Sequence, residues 1–172
     1  MALPEPCQAN GWLAAHAALI LAAHARLVGR PLLGPEAAAA GEPAPGDAGR
    51  DQATARALYH SPLVILAHDA AEDPVFTYGN LAAQRRFELS WAELTALPSR
   101  CSAEPLDRAE RARLLEAVAR RGFIDDYAGV RVSRTGRRFR IERTVVWNLV
   151  DEAGRRLGQA AAFDHWTDLP PA

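Results

Sequence analysis

Asp126, Arg143 and Gln159 are the polar residues whose placement carries the most chemistry in this sequence. A two-residue turn at Thr135-Gly136 pairs Val132 with Phe139, Val130 with Ile141, Ala128 with Arg143, Asp126 with Val145 and Ile124 with Trp147. A three-residue loop at Glu152-Ala153-Gly154 then pairs Trp147 with Gln159, Val145 with Ala161 and Arg143 with Phe163. The face so formed is apolar except for Asp126, Arg143 and Gln159. A charge on a buried face needs a partner, so Asp126 and Arg143, diagonal neighbours, are expected to form a salt bridge. Arg143 is also expected to face a pocket beside Ala128 and Ala161 and to offer its guanidinium to a carboxylate or other polar ligand. Trp147, with apolar neighbours at period two, reads as core. A bulge in either strand would reverse the whole assignment.

Other reactive residues lack the company that catalysis needs. His68-Asp69 and Asp125-Asp126 are adjacent pairs, and adjacent strand residues point to opposite faces. Asp69 reads as a turn former. His16 and His24 lie eight apart on one helix, too far for a metal pair of the i, i+4 kind. There is no GxSxG, P-loop, HExxH or GxGxxG. An enzyme is therefore not expected.

The elements that position these residues can be read from periodicity and punctuation. Residues 11–29 read as a helix ended by Gly29 and Pro31. Residues 34–50 are rich in Gly, Pro and Ala and read as a flexible linker. The division expected is a helix in 1–33, a linker in 34–50 and a body in 51–172. The body opens with a short helix before Pro62 and strands at Leu63–Ala67 and Val75–Tyr78. Asn80 caps the next helix, and Ser90 with Glu93 forms a capping box. Asp107 and Glu110 open a helix that Gly122 closes. Three further strands follow: Phe123–Ser133, Arg138–Val150 and Arg155–His165. The order implies an α+β fold with a five-stranded antiparallel sheet and its helices on one face.

Composition bounds the partners. The net charge of −1 argues against a nucleic-acid partner, which calls for a basic excess. All twenty basic residues are Arg, the bias of a GC-rich and therefore bacterial genome. Arg131, Arg134, Arg137, Arg138 and Arg140 read as a solvated face. Cys7 and Cys101 make neither a disulfide framework nor a CxxC pair, which fits the cytoplasm. The apolar run from Trp12 to Ala23 is too short to span a membrane. An Ala-rich helix beyond a linker is expected to self-associate, with folding back onto its own sheet as the close alternative.

Tyr78–Leu94, YGNLAAQRRFELSWAEL, resembles the early part of a PAS domain. The blocks SPLVILAHDAAEDPVFTYGN, LPSRCSAEP, RARLLEAV, GFIDDYAGVR and SRTGRRFRIERTVVWNLVDEAGRRLGQAAAF, in that order, resemble the MEKHLA domain over roughly residues 61–166. The resemblance implies a PAS-like fold and a regulatory or sensory role. Such domains occur in plant homeodomain–leucine-zipper regulators and as stand-alone bacterial proteins. Neither homeodomain nor zipper stands in this sequence, so DNA binding does not carry over. Two alternatives follow: a module binding a small molecule, and an interaction module without ligand. A flavin photosensor of the LOV type is less favoured. Cys101 lacks the surrounding motif of those sensors, and only Gln159 after Gly158 resembles their last strand. Haem is not expected, because the helix from Asp107 to Arg121 has no His. No cofactor is assigned.

Overall fold

A computed structural model describes residues 3–35, 48–105 and 108–172. A 3-10 segment, Gln8–Leu13, leads into α1, Ala14–Val28, and α2 is Ala48–His60. Strands β1, Val64–Asp69, and β2, Phe76–Gly79, precede the short helices α3, Leu81–Phe87, and α4, Trp91–Leu94. A 3-10 turn, Ser99–Ser102, leads towards α5, Arg108–Arg121. The chain ends with β3, Phe123–Val132, β4, Arg138–Val150, β5, Arg156–Phe163, and β6, His165–Asp168.

The strands form one antiparallel sheet in the order β2-β1-β5-β4-β3, and β6 pairs with the first half of β4. The sixth strand was not legible because β6 continues the β5 ribbon after a break at Asp164. The capping signals are realised. Asn80 Oδ1 accepts from the Ala83 amide at 3.1 Å, and Ser90 and Glu93 form the reciprocal box. Gly29 and Gly122 adopt left-handed backbone at the ends of α1 and α5. Most of the expected linker, residues 36–47, and the Asp107 cap lie outside the described residues. α2 already begins at Ala48, inside the stretch read as linker.

Both faces of the sheet are covered. On one face Ala17, Ile20 and Ala23 of α1 and Ala55, Leu58 and Tyr59 of α2 pack with Ile65, Ala67, Val145, Trp147, Ala160 and Ala162. The other face packs Leu66, Phe76, Ile124, Tyr127, Phe139, Ile141, Val146 and Phe163 with Phe87, Leu94 and Val118 of the helices. Helix α1 therefore folds back onto its own sheet, with the Trp147 indole donating to the Ile20 carbonyl at 3.3 Å. Its inner face is packed within the chain, which is the close alternative to self-association. The apolar run is also longer than the count from Trp12 to Ala23. Gln8–Val28 spans 21 residues and holds an 18-residue window of mean hydropathy 1.4, enough by length and composition to cross a membrane. In this fold the run bends at Gly11, Trp12 and Leu13, all at positive φ, and the helix beyond lies on the sheet.

Ile20 is fully buried beneath this helix. Ile20→Ala is expected to lower the unfolding free energy by about 2–4 kcal/mol. A urea midpoint within error of the parent would mean that α1 is not docked in solution.

Candidate functional site

Two features re-aim the sheet relative to a simple count. The β3–β4 turn holds three residues, Arg134 to Gly136, with the Ser133 amide bonded to the Arg137 carbonyl at 2.9 Å and Gly136 at φ 85°. It therefore pairs Arg131 with Phe139 and Gly129 with Ile141, one residue off the two-residue count. The Glu152-Ala153-Gly154 loop has the expected length and a left-handed Gly154, but a register shift follows between Leu149 and Val150. Beyond it Trp147 pairs with Ala160, and Asn148 with Gln159.

These shifts, with further ones between β3 and β4 on either side of Tyr127, disperse the six residues read as one site. Arg143 is exposed and sits at φ 50°, an interruption in β4. Asp126 is exposed and binds Arg113 at 2.7 Å, so the Asp126–Arg143 pair does not form. Ala128 faces a separate, smaller pocket with Arg113 and Arg140. Trp147 is buried on the α1 face, its ring in a T-shaped contact with His24. Gln159 and Ala161 are the two that come together, on the wall of a cavity between the sheet and the turn Ser99–Ser102 with α5.

That cavity has a volume of about 430 Å³. Its walls are Leu66, Phe76, Ile141, Val146 and Phe163, with Leu114 of α5. Such a size falls within the ~300–1,000 Å³ range of small-molecule sites. One group of its polar side chains is placed by the sheet register. His68, Gln159 and Asn148 occupy one row across β1, β5 and β4. Gln159 Nε2 donates to Asn148 Oδ1 at 3.3 Å, and Asn148 Nδ2 donates to the Val118 carbonyl at 3.4 Å. His68 Nδ1 donates to the Asp69 carbonyl at 2.7 Å. The Asp69 carboxylate accepts from the Ala71 and Val75 amides and shapes the β1–β2 turn.

A second polar cluster lies on β3. Tyr127 is buried, and Arg131 lies over its ring at 5.5 Å and donates to its hydroxyl at 3.3 Å. Residues Ala103 and Glu104 run beside β3, the Glu104 amide bonding the Val130 carbonyl at 3.2 Å. Of the turn, Ser99, Arg100 and Ser102 line the cavity, whereas Cys101 is exposed. His68, Tyr127 and Arg131 escape a sequence reading because only the correct register puts them on this wall.

Desolvation lowers the pKa of His68, His16 and His24 below 6.5. The folded chain then binds fewer protons than the unfolded chain below that value. Stability from these groups is present above about pH 6.5 and is lost as pH falls through their folded pKa values. The urea midpoint is expected to drop between about pH 7.5 and 5, before carboxylates titrate. A flat midpoint across that window would contradict the burial of these rings.

The sequence profile of the MEKHLA domain matches residues 14–168, from the first residue of α1 to the last of β6. A comparison with curated proteins finds no match. Among solved structures, the PAS domain of a protein from Colwellia psychrerythraea superposes with a TM-score of 0.54 at 16% identity, covering 67% of this chain and 92% of that one. An RNA-binding light-oxygen-voltage receptor gives 0.54 at 24% identity, covering 66% of this chain and 31% of that one. The LOV domain of a blue-light-activated histidine kinase from Erythrobacter litoralis gives 0.50 at 16%, covering 63% and 96%. At these identities the likeness is one of fold: a PAS-type sheet with its helices. The profile match spans most of the sequence and includes the docked N-terminal helix, so the chain belongs to the MEKHLA domain family.

Proposed function

We propose that this chain is a sensory or regulatory domain that binds a small molecule between its sheet and α5. The observation that supports this best is the cavity itself: apolar walls carrying His68 and Gln159 at fixed register, with Asn148 behind Gln159 in the same row. An interaction module with a filled core would have no use for half-buried imidazole and amide groups beside open volume. Nothing in this cavity resembles a nucleophile held by a base, so the reading is binding rather than turnover. A flavin adduct would need a thiol facing the cavity, and Cys101 points elsewhere.

The test is native mass spectrometry of the freshly purified protein beside Ala161→Trp, which fills the cavity from β5. A non-covalent small molecule on the parent, absent from the variant, is the expected result. A parent that carries only its own mass from several expression hosts, and binds no member of a fragment library, would leave the interaction module as the better reading.

A further inference from the structure

The hydrogen-bond directions at the cavity wall fix which end of a ligand each cluster can take, and this rests on the binding reading above. The Val118 carbonyl can only accept, so the Asn148 amide nitrogen must face it. Asn148 Oδ1 is then the acceptor for Gln159 Nε2, which leaves Gln159 Oε1 as an acceptor. The Asp69 carbonyl likewise takes the Nδ1 proton of His68, and Nε2 is left to accept. This end of the cavity therefore asks for a donor.

The β3 cluster asks for the opposite. The Tyr127 hydroxyl accepts from Arg131, so its own proton is directed elsewhere. Two other charged side chains of the lining are already neutralised. Arg100 binds both oxygens of Asp73 at 2.9 and 3.1 Å, and Glu104 binds Arg138 through both of its oxygens. Among the described residues, Arg131 has no carboxylate within ion-pair distance. A guanidinium beside a phenolic proton is a carboxylate site. The sheet-side wall that both ends share carries Phe76, Ile141, Val146 and Phe163.

We propose that the cavity takes a small carboxylic acid with an apolar body and a hydrogen-bond donor at its far end. Arg131 and Tyr127 hold the carboxylate, and His68 with Gln159 accepts from the donor. The apolar body lies against Phe76, Val146 and Phe163.

Three probes separate the parts of this assignment by calorimetry: 3-(4-hydroxyphenyl)propionate, its primary amide, and 3-phenylpropionate without the hydroxyl. The hydroxy acid is expected to bind best, with the amide and the deoxy acid each weaker by about tenfold or more. Arg131→Gln is expected to erase the preference for acid over amide, and Arg131→Lys to keep it. Gln159→Leu is expected to shrink the preference for the hydroxyl while leaving acid over amide intact. Thermal melts of each variant confirm the fold. Equal binding of acid and amide, unchanged by Arg131→Gln but abolished by Ala161→Trp, would overturn the ligand class while the cavity stands as a binding site. No saturable binding of the hydroxy acid up to ~1 mM would overturn the proposal whatever molecule co-purifies.

Discussion

Gly158→Ala is expected to destabilise the fold by about 3 kcal/mol, a large effect for one methyl group. A Cβ at this position would lie 2.0 Å from the carbonyl oxygen of His68 and 3.1 Å from its carbon. The obstacle is backbone at the last pair of the β1–β5 ladder, Asp69 with Gly158, so it cannot turn aside as a side chain would. The two strands must separate where His68 and Gln159 are placed on the cavity wall. Gly136→Ala is the control. It sits at φ 85° with nothing within 4 Å, so it carries only the left-handed backbone cost of roughly 1–2 kcal/mol. Urea unfolding of both variants checks the contrast. A Gly158→Ala midpoint equal to that of Gly136→Ala would show that the strands are not in close approach.

Asn80→Ala is expected to be as severe, at about 3–5 kcal/mol, because the side chain holds three elements at once. Asn80 is fully buried. Its oxygen accepts from the Ile65 amide in β1 and the Ala83 amide in α3, each at 3.1 Å. Its nitrogen donates to the carbonyls of Leu58, Ser61 and Leu63 at 3.3, 3.2 and 2.7 Å. Truncation leaves buried backbone groups without partners, which is costlier than the loss of the bonds themselves. Asn80→Asp keeps the shape but replaces the donor with an acceptor facing three carbonyls, and it too is expected to unfold at lower urea. If the Asp variant matched the parent, packing rather than hydrogen bonding would be the role of this residue.

Local chemistry made much of the fold legible. Asn80, Ser90 with Glu93, Gly29 and Gly122 end or begin helices for reasons written within a few residues of each. The strands of the body fall close to where alternation and turn residues place them. What escaped depends on single inserted residues. One extra residue in the β3–β4 turn and one shift beside Val150 each turn a strand through half its period. A third irregularity, at Arg143 with φ 50° where the β3–β4 register shifts again, turns Trp147 to the face opposite Phe139 and Ile141 and leaves no Asp126–Arg143 pair. Gln159 and Ala161 reached the cavity wall, where the shift beside Val150 set Gln159 opposite Asn148 rather than Trp147. The fate of α1 was illegible in another way. An apolar helix stripe states that it must be covered, and not by what. Here the cover is Trp147 and the small residues of β5.

The alternation along β5 has a thermodynamic consequence. Gln159 and Ala161 border the cavity, while Ala160 and Ala162 belong to the buried cluster that includes α1, so one strand is wall to both compartments. Helix α1 itself lies over the neighbouring β4, and the β5 alanines have little side-chain depth to absorb a displacement of their strand against β4. Whatever free energy an occupant gains by straightening or bending β5 is felt as a change in the docking strength of α1. Linkage then requires the converse: a chain with α1 undocked must bind that occupant with an affinity altered by the same factor. Signal transfer across this sheet would need no relay of residues, only the thickness of one strand.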